Sequence, residues 1–306
     1  MTKVFIDGSA GTTGLRIRER LANRADLELL ILPEEARKDP AARRDMLKAA
    51  DIAFLCLPDA AAIEAVALAE GCSVRIIDTS TAHRVNPAWA YGFPELTGYD
   101  KIRNATRVAN PGCHASGAVA LIAPLVRAGL LDADAALTCV SLTGYSGGGK
   151  KMIAEYEADA VDPLYAAPRQ YGLTQAHKHL AEIKAVTGLT VTPAFCPIVA
   201  SFYSGMEVTV PVFQKDLRGT AADLRTAYAE FYGKGLVRYN AEMDEGGFLS
   251  AAAFSGRDDM EVGVFGNDER ILLVARFDNL GKGASGAAIQ NMNILLGVDE
   301  TTGLIV

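Results

Sequence analysis

The chain has 306 residues, half of them apolar, and a formal net charge of −7. This composition excludes an intrinsically disordered or collagen-like chain, and the length leaves room for two modest domains. Because the balance is acidic and no basic stripe offsets it, nucleic acid is excluded as an expected partner.

Neither a targeting segment nor a cysteine framework is apparent in the sequence. The first residues, 1–7, lack the apolar stretch and cleavage site of a secretory signal. No apolar run reaches the length of about 18 residues that a membrane span requires. The five cysteines are scattered and without CxxC spacing, so neither disulfides nor a metal site is expected. We therefore expect a cytoplasmic protein that binds no metal and no membrane.

The first part of the chain alternates short apolar strands with helical stretches. Continuous apolar strands that alternate with helices are typical of a parallel sheet covered on both faces. Strands are predicted at 4–6, 29–32, 52–57, 74–77 and 107–109, and helices at 12–24 and 60–70.

In the remainder of the chain, strands often follow strands. This order predicts an α+β domain with a mixed, mostly antiparallel sheet. A last helix at 284–296 is expected to return to the first domain, so we predict domains over 1–112 with 284–306 and over 113–283. The predicted strands are 137–142, 190–195, 206–213, 260–264 and 271–277, and the predicted helices are 114–128, 151–158, 174–186 and 220–232.

A glycine-rich turn lies between the first strand and the first helix. Its glycines have GxxGxxG spacing, which lets the backbone turn tightly and approach a pyrophosphate. The helix N-terminus adds free N–H groups and a positive dipole. Glycines also serve ordinary turns, but this position in a βαβ pattern favours a dinucleotide site. The predicted cofactor ligands here are Gly8, Ser9, Ala10, Gly11, Thr12, Thr13 and Gly14.

The segment after the second strand bears on the choice between NAD and NADP. NAD sites usually carry an acidic residue there to hold the ribose hydroxyls. Here Glu34 and Glu35 are followed by Arg37 and Lys38. The cations suit a 2′-phosphate, whereas a solvated loop of mixed charge explains the same residues equally well. We favour NADP(H), with Arg37 as a ligand.

Cys113 is the candidate nucleophile, because it follows the fifth strand and opens a helix. A helix N-terminus stabilises a thiolate through its dipole and free N–H groups. The other cysteines lie in or beside apolar segments and are interpreted as small buried residues. A thiolate beside a nicotinamide indicates attack on an acyl phosphate, loss of phosphate and hydride reduction of the thioester, or the reverse oxidation.

The acid/base partner of this cysteine must be a histidine or a carboxylate within reach. The sequence has four histidines. His83 lies in a loop after a strand, and His114 adjoins the cysteine but diverges from it on a helix. His177 and His179 stand at the head of a predicted helix, where i and i+2 do not share a face. They should therefore differ in role, or one of them has none.

With these elements in order, the chain resembles the N-acetyl-γ-glutamyl-phosphate reductase family of arginine biosynthesis, in its shorter form. The Asn-Pro-Gly-Cys element and the His-x-His element followed by Glu-Ile are together quite specific. The resemblance covers the GxxGxxG turn and the segments 78–84, 91–96, 110–113, 143–150, 177–183 and 279–293.

The resemblance implies NADPH-dependent reduction of N-acetyl-γ-glutamyl phosphate to N-acetylglutamate semialdehyde, with release of phosphate. It implies a Rossmann-type domain and a glyceraldehyde-3-phosphate-dehydrogenase-like catalytic domain that assembles a homodimer or homotetramer. Cys113 is the implied nucleophile and His177 or His179 the implied acid/base, with His177 favoured. The other implied residues are Ser80, Asn279 and Gly281 for the cofactor and Asn110, Ser146, Gly147 and Lys150 for the substrate.

The glycine-rich loop at 143–150 departs from the longer members of this family, which usually have SGxSGAGR. Here the loop ends in Lys150. A lysine attracts phosphate but lacks the bidentate fork of an arginine. The prediction that Ser146 and Lys150 bind phosphate therefore has less support from the sequence than the prediction that Cys113 is the nucleophile.

Two other functions fit parts of the sequence. An aspartate-semialdehyde dehydrogenase has the same chemistry and domain plan, but the His177-Lys178-His179 element argues against it. A non-catalytic NADP-binding sensor with Cys113 as a redox switch needs the glycine turn, but it needs neither a base nor a phosphate site. The paired histidines and the loop that ends in Lys150 favour the enzyme.

Overall fold

The computed structural model describes every residue from Met1 to Val306. The chain divides into two compact units, the first formed by Met1–Pro111 with Ala284–Leu304 and the second by Gly112–Gly283 with Ile305–Val306. No helix combines the length and the apolar character that crossing a membrane requires.

The first unit is built on a six-stranded sheet in which all neighbouring strands are parallel, in the order β2-β1-β3-β4-β6-β5. This confirms the predicted Rossmann-type sheet. The strands are β1 (Thr2–Asp7), β2 (Leu27–Leu30), β3 (Ile52–Leu55), β4 (Arg75–Asp78), β5 (Ala90–Tyr91) and β6 (Arg107–Ala109).

Helices cover both faces of this sheet, as its continuous apolar strands require. Val4 of β1 belongs to a core cluster with Ile289 and Met292, whereas the next residue, Phe5, belongs to a cluster with Leu47 on the opposite face. The helices are α1 (Thr12–Leu21), α2 (Pro40–Ala49), α3 (Asp59–Leu68), α4 (Pro94–Thr97), α5 (Tyr99–Arg103) and, near the C-terminus, α10 (Gly286–Leu296).

Several element predictions for the first unit differ from the structure in their bounds, and β5, α2, α4 and α5 were not predicted. The strand predicted at 29–32 spans Leu27–Leu30, because its register with β1 pairs Thr2 with Leu27. The helix predicted at 12–24 ends at Leu21. Helix α2 was missed, although Asp39 caps it by accepting from the Ala41 N–H at 2.9 Å and Pro40 stands in its first turn.

The second unit contains a seven-stranded sheet in the order β11-β12-β13-β10-β7-β9-β8. Neighbours are antiparallel except β11–β12 and β7–β9, which confirms the mixed, mostly antiparallel prediction. The elements are α6 (Cys113–Arg127), β7 (Thr138–Gly144), α7 (Gly149–Tyr156), β8 (Arg169–Gln170), α8 (His179–Thr187), β9 (Ala194–Ala200), β10 (Met206–Phe213), α9 (Ala221–Phe231), β11 (Val237–Tyr239), β12 (Met260–Gly266) and β13 (Arg270–Phe277).

Two predictions near the histidine segment were wrong. The strand predicted at 190–195 lies at Ala194–Ala200, where its parallel pairing with β7 places it. The helix predicted at 174–186 begins only at His179. Gln175 has a positive φ of 55°, a backbone conformation that cannot continue a right-handed helix. The segment before His179 therefore forms a turn instead of a helix.

Helix α6 lies directly on the sheet of the second unit. A Cβ at Gly117 would stand 2.5 Å from Val208 on β10, so only glycine permits this approach. Pro124 has no N–H for the carbonyl of Ala120, and the Tyr232 hydroxyl donates to that carbonyl at 2.7 Å instead. Helix α6, which begins with Cys113, is thereby packed closely against the sheet of the second unit.

Candidate active site

The glycine turn of the first unit connects β1 to α1. Gly8 has φ +88°, and a Cβ there would lie 2.2 Å from the carbonyl oxygen of Cys56. A Cβ at Gly14 would lie 2.4 Å from the carbonyl oxygen of Gly8. These two glycines are therefore required by the packing of the chain itself.

Gly11 differs from its two neighbours in the motif. Its φ is −71°, and a Cβ there would come no closer than 3.5 Å to any surrounding atom, which is ordinary contact. It is the N-cap of α1 and offers no side chain to the first N–H groups of that helix. Such unsatisfied donors bind anions. The turn therefore fits a pyrophosphate, with Gly11 leaving room for it.

The segment after β2 carries the charges expected near an adenosine ribose. Glu34–Ala36 forms a short 3-10 helix, and Arg37 is ion-paired with Glu34. Lys38 is exposed. A 2′-phosphate would therefore compete with the Glu34 carboxylate for the Arg37 guanidinium.

Ser80, a predicted cofactor ligand, is held by the carboxylate that ends β4. Asp78 is fully buried and accepts from the Ser80 hydroxyl at 2.8 Å and from the Ser80 N–H at 2.9 Å. The same carboxylate lies 2.6 Å from Nδ1 of His83, whose ring stacks on Trp89. His83 thus has a structural role within the first unit.

Asn110, a predicted substrate ligand, ties β6 to the C-terminal segment of the first unit. Its Nδ2 donates to the carbonyl of Ala284 at 3.0 Å, and its Oδ1 accepts from Asn291 at 3.2 Å. The side chain is buried and its amide is used by these two bonds.

Cys113 is the first residue of α6 in the second unit, and it is half-buried. The N–H of Gly112 before it donates to Oε1 of Glu182 on α8 at 2.8 Å. On the other side, a Cβ at Gly283 would lie 3.0 Å from the Cβ of Cys113. The start of α6 at Cys113 is therefore fixed by the buried Glu182 carboxylate and by the close approach of the Gly283 backbone.

Three histidine rings gather at the start of α6 and α8. The ring centroid of His114 lies 6.0 Å from that of His177 and 5.6 Å from that of His179. The rings of His177 and His179 are 4.7 Å apart, and the backbone N–H of His179 donates to Nδ1 of His177 at 3.3 Å. The two candidates for the acid/base role are thus brought together in one cluster.

The electrostatic environments of these rings differ. Burial, and secondarily the positive charge of Lys178, lowers the pKa of His177. Burial lowers the pKa of His114 further, to about 3, so this ring is neutral at any physiological pH. Burial, and secondarily the negative charge of Cys113, raises the pKa of Tyr171.

The glycine-rich loop at 145–150 is anchored by Asn279. Asn279 Nδ2 donates to the Ser146 hydroxyl at 3.0 Å, and its Oδ1 accepts from the Gly205 N–H at 2.9 Å. Gly147 and Lys150 are exposed, and Lys150 lies in the first turn of α7. The structure thus brings Ser146, Gly147 and Asn279 together.

Gly281, another predicted cofactor ligand, is required by packing. A Cβ there would lie 1.9 Å from the carbonyl oxygen of Arg257. Both Asn279 and Gly281 belong to the second unit, whereas the glycine turn, Arg37, Ser80 and Asn110 belong to the first.

Several residues of the Cys113 cluster were missed as site residues in the sequence. Glu182 was noted only as part of a motif, although an acidic residue three positions after His179 falls on the same helical face. Tyr171, Ser141 and Gly283 carry no local signal, because long-range packing alone brings them to α6.

Family models match both parts of the chain. A model described as "Semialdehyde dehydrogenase, NAD binding domain" matches residues 33–105, and one described as "Semialdehyde dehydrogenase, dimerisation domain" matches residues 113–279. Curated relatives are similar over most of their length. The chain is 48% identical over 305 residues to an N-acetyl-gamma-glutamyl-phosphate reductase of Sinorhizobium medicae, covering 96% of this chain and 98% of that one.

A reductase of the same name from Brucella anthropi is 49% identical over 308 residues, covering 96% of this chain and 98% of that one. The chain belongs to the N-acetyl-gamma-glutamyl-phosphate reductase family.

Solved structures of other proteins share the fold of this chain. An aspartate semialdehyde dehydrogenase II from Vibrio cholerae has a TM-score of 0.73 at 17% identity, with 97% of this chain and 98% of that chain covered. An aspartate semialdehyde dehydrogenase with NADP from Candida albicans has a TM-score of 0.68 at 16% identity, with coverage of 97% and 98%. At such identities the likeness establishes the two-domain fold alone.

Proposed function

We propose that this protein reduces N-acetyl-γ-glutamyl phosphate to N-acetylglutamate semialdehyde with NADPH, and releases phosphate. The observation that carries the proposal is the half-buried Cys113 at the N-terminus of α6, followed by His114, whose ring lies 6.0 Å from that of His177 and 5.6 Å from that of His179. The chain that carries this cysteine is 48% identical to a curated N-acetyl-gamma-glutamyl-phosphate reductase.

Cys113 acts as the nucleophile in this proposal. The helix N-terminus favours its thiolate, which attacks the acyl carbon of the substrate. The carbon–sulfur bond forms as the bond from that carbon to the phosphate oxygen breaks, so inorganic phosphate leaves and a thioester remains. The nicotinamide cofactor, when bound, supplies the hydride that reduces the thioester carbon. The carbon–sulfur bond then breaks, which releases the aldehyde and regenerates the thiolate.

His177 or His179 exchanges the protons of these steps, and we favour His177. His177 is half-buried, whereas His179 is only 6% exposed. The lowered pKa keeps His177 neutral, and so able to accept a proton, to lower pH than an ordinary histidine. Because the His179 N–H contacts Nδ1, Nε2 is the nitrogen available to the substrate oxygen.

The phosphate leaving group needs donors and a positive charge. Ser146, Gly147 and Lys150 of the loop that Asn279 anchors are the residues we propose for it. Asn110 is proposed as a substrate contact because it lies shortly before Cys113 in the chain. Its side-chain amide forms hydrogen bonds to Ala284 and Asn291 within the first unit.

The glycine turn is the proposed pyrophosphate site, and two glycine variants test it. Gly11→Ala should leave thermal stability near that of the unchanged protein and weaken NADPH binding at least about tenfold, since only the ligand is displaced. Gly8→Ala should lower the melting temperature, because its Cβ would clash 2.2 Å from the Cys56 carbonyl oxygen. Fluorescence titration and thermal melts measure the two effects. Equal binding by Gly11→Ala and the unchanged protein would remove the turn from the cofactor site.

Arg37 is the proposed ligand of the NADP 2′-phosphate. Arg37→Ala should raise the KM for NADPH about tenfold and change the KM for NADH little, because only NADPH carries the 2′-phosphate. Glu34→Gln should lower the KM for NADPH, since the competing ion pair is removed. Lys48→Ala, which removes an exposed cation on α2, is the matched control. Equal effects of Arg37→Ala on both cofactors would contradict the assignment.

A spectrophotometric assay tests the substrate. With NADP and phosphate present, N-acetylglutamate semialdehyde should be oxidised with a kcat/KM at least about a hundredfold above that for aspartate semialdehyde. The opposite order would replace the proposed substrate by the one named for the structural neighbours.

Location and assembly complete the proposal. The five cysteines form no disulfide, which suits a reducing cytoplasm. A homodimer or homotetramer assembled through the second unit is proposed, in keeping with the description of the family model that matches residues 113–279.

A further inference from the structure

His83 in the first unit has one ring nitrogen that the fold uses and one that it does not. Nδ1 lies 2.6 Å from Oδ2 of Asp78, and the ring stacks on Trp89 with centroids 4.1 Å apart. The residue is only 8% exposed. Nε2 has no hydrogen-bond partner within the chain, yet it is not sealed in the core, so this nitrogen reaches the surface. In addition to its structural role, His83 thus presents a polar atom to a ligand.

The orientation of this ring is set by a carboxylate and an aromatic face. Asp78 is fully buried, and it accepts from the N–H and the hydroxyl of Ser80 as well as bonding to Nδ1 of His83. Because a carboxylate offers only acceptors, Nδ1 carries a proton and donates. Stacking on Trp89 at an interplanar angle of 13° fixes the plane of the ring. Nε2 is therefore held in one position.

The loop that carries His83 lies at the same edge of the sheet as the glycine turn. The register pairs Asp7 with Leu55 and Leu55 with Asp78, so the carboxyl ends of β1, β3 and β4 stand side by side. Thr79 donates to the Leu55 carbonyl at 3.0 Å through both its N–H and its hydroxyl. The loop after β4 is therefore bound to the end of β3, which is the neighbour of the strand that enters the glycine turn.

The strand order indicates which half of a dinucleotide would lie at this loop. β2 and β3 lie on opposite sides of β1, and a dinucleotide binds at the point where the strand order reverses in this way. Its pyrophosphate lies at the turn after β1, and its adenosine ribose lies beside the end of β2. The nicotinamide nucleotide must then extend the other way, along the carboxyl ends of β3 and β4.

We propose that His83 binds the nicotinamide ribose of NADP(H), with Nε2 hydrogen-bonded to a ribose hydroxyl and Asp78 holding the ring in position. This inference rests on the cofactor site proposed at the glycine turn, and it adds a contact for the half of the cofactor that the turn does not bind. A hydroxyl both donates and accepts, so it suits Nε2 in either protonation state of the ring.

Chemical modification of the unchanged protein is the first test. Diethyl pyrocarbonate acylates accessible imidazole nitrogens, and trypsin releases residues 76–84 as a peptide with His83 as its single histidine. At ten times its Kd, NADPH should slow this acylation about tenfold, because only the unbound protein reacts. Adenosine 2′,5′-bisphosphate, which lacks the nicotinamide nucleotide, should not slow it at equal occupancy. An unreactive His83, no protection by NADPH or equal protection by both ligands would overturn the proposal.

Two variants of His83 are the second test, with affinities measured by calorimetry. Asparagine keeps a donor for Asp78 but leaves no atom at the place of Nε2. His83→Asn should therefore raise the Kd for NADPH about tenfold and leave the Kd for adenosine 2′,5′-bisphosphate unchanged. The longer amide of His83→Gln reaches the place of Nε2, so this variant should bind NADPH more tightly than His83→Asn. Val85→Ala, at an exposed neighbouring position, is the matched control and should bind both ligands normally.

These measurements separate the role of His83 from the proposed function. Neither test contains substrate, so the results do not depend on the chemistry of Cys113. Normal NADPH binding by His83→Asn would overturn the role of His83 and leave the proposed reductase intact. Equal weakening of both ligands would overturn it as well, because His83 would then act on the whole first unit. If the unchanged protein bound no NADPH, the proposed cofactor site would fail and this inference with it.

Discussion

Replacing Cys113 with serine is expected to abolish turnover while NADPH binding stays intact. Loss of the nucleophile should lower kcat on the order of 10⁴-fold or more, since serine has no thiolate to form the thioester. The glycine turn lies in the first unit and Cys113 in the second, so cofactor affinity should be unchanged. Initial rates and fluorescence titration of NADPH measure the two effects.

A single-turnover experiment makes this prediction more specific. Without NADPH, the unchanged protein should release one phosphate per active site and gain the mass of the N-acetylglutamyl group, because the thioester cannot be reduced. Cys113→Ser should do neither. Cys72→Ser, a partly buried cysteine of the first unit, is the matched control and should behave like the unchanged protein. Near-normal activity in Cys113→Ser would rule out the covalent mechanism.

The second large effect concerns the two histidines. His177→Ala should lose about 100- to 10,000-fold in kcat, the usual contribution of a general acid/base, and His179→Ala should lose far less. His177→Asn is the informative companion, because it keeps an acceptor for the His179 N–H but cannot exchange a proton. Both His177 variants should be equally slow. If His179→Ala is the slower enzyme, the two assignments exchange.

The pH dependence of the unchanged protein also tests the assignment of His177 as the base. A base must be neutral to accept the thiol proton, and the lowered pKa keeps His177 neutral to lower pH than an ordinary histidine. The acid limb of kcat/KM should therefore have its midpoint below the usual value of about 6.5. In His177→Asn that limb should be absent. A midpoint at or above the usual value would point to a different group.

The sequence by itself determined the features that depend on local chemistry and periodicity. Apolar strands that alternate with helices predict a parallel sheet, and β1 confirms it by dividing Val4 and Phe5 between two cores. The turn before α1 and the cysteine at the head of α6 were predicted because glycine freedom and a helix N-terminus are properties of a few consecutive residues.

Only the tertiary structure decided which residues surround Cys113 and how each is used. Glu182 reaches the Gly112 N–H, and Ser141 and Tyr171 reach His114, across long stretches of chain that no periodicity relates. Likewise, α8 begins at His179 rather than at 174, because the turn around Gln175 interrupts the helical pattern. Hydrogen bonds in a packed core form between neighbours in space, so the sequence could indicate Cys113 as the candidate nucleophile but not the groups that contact the start of its helix.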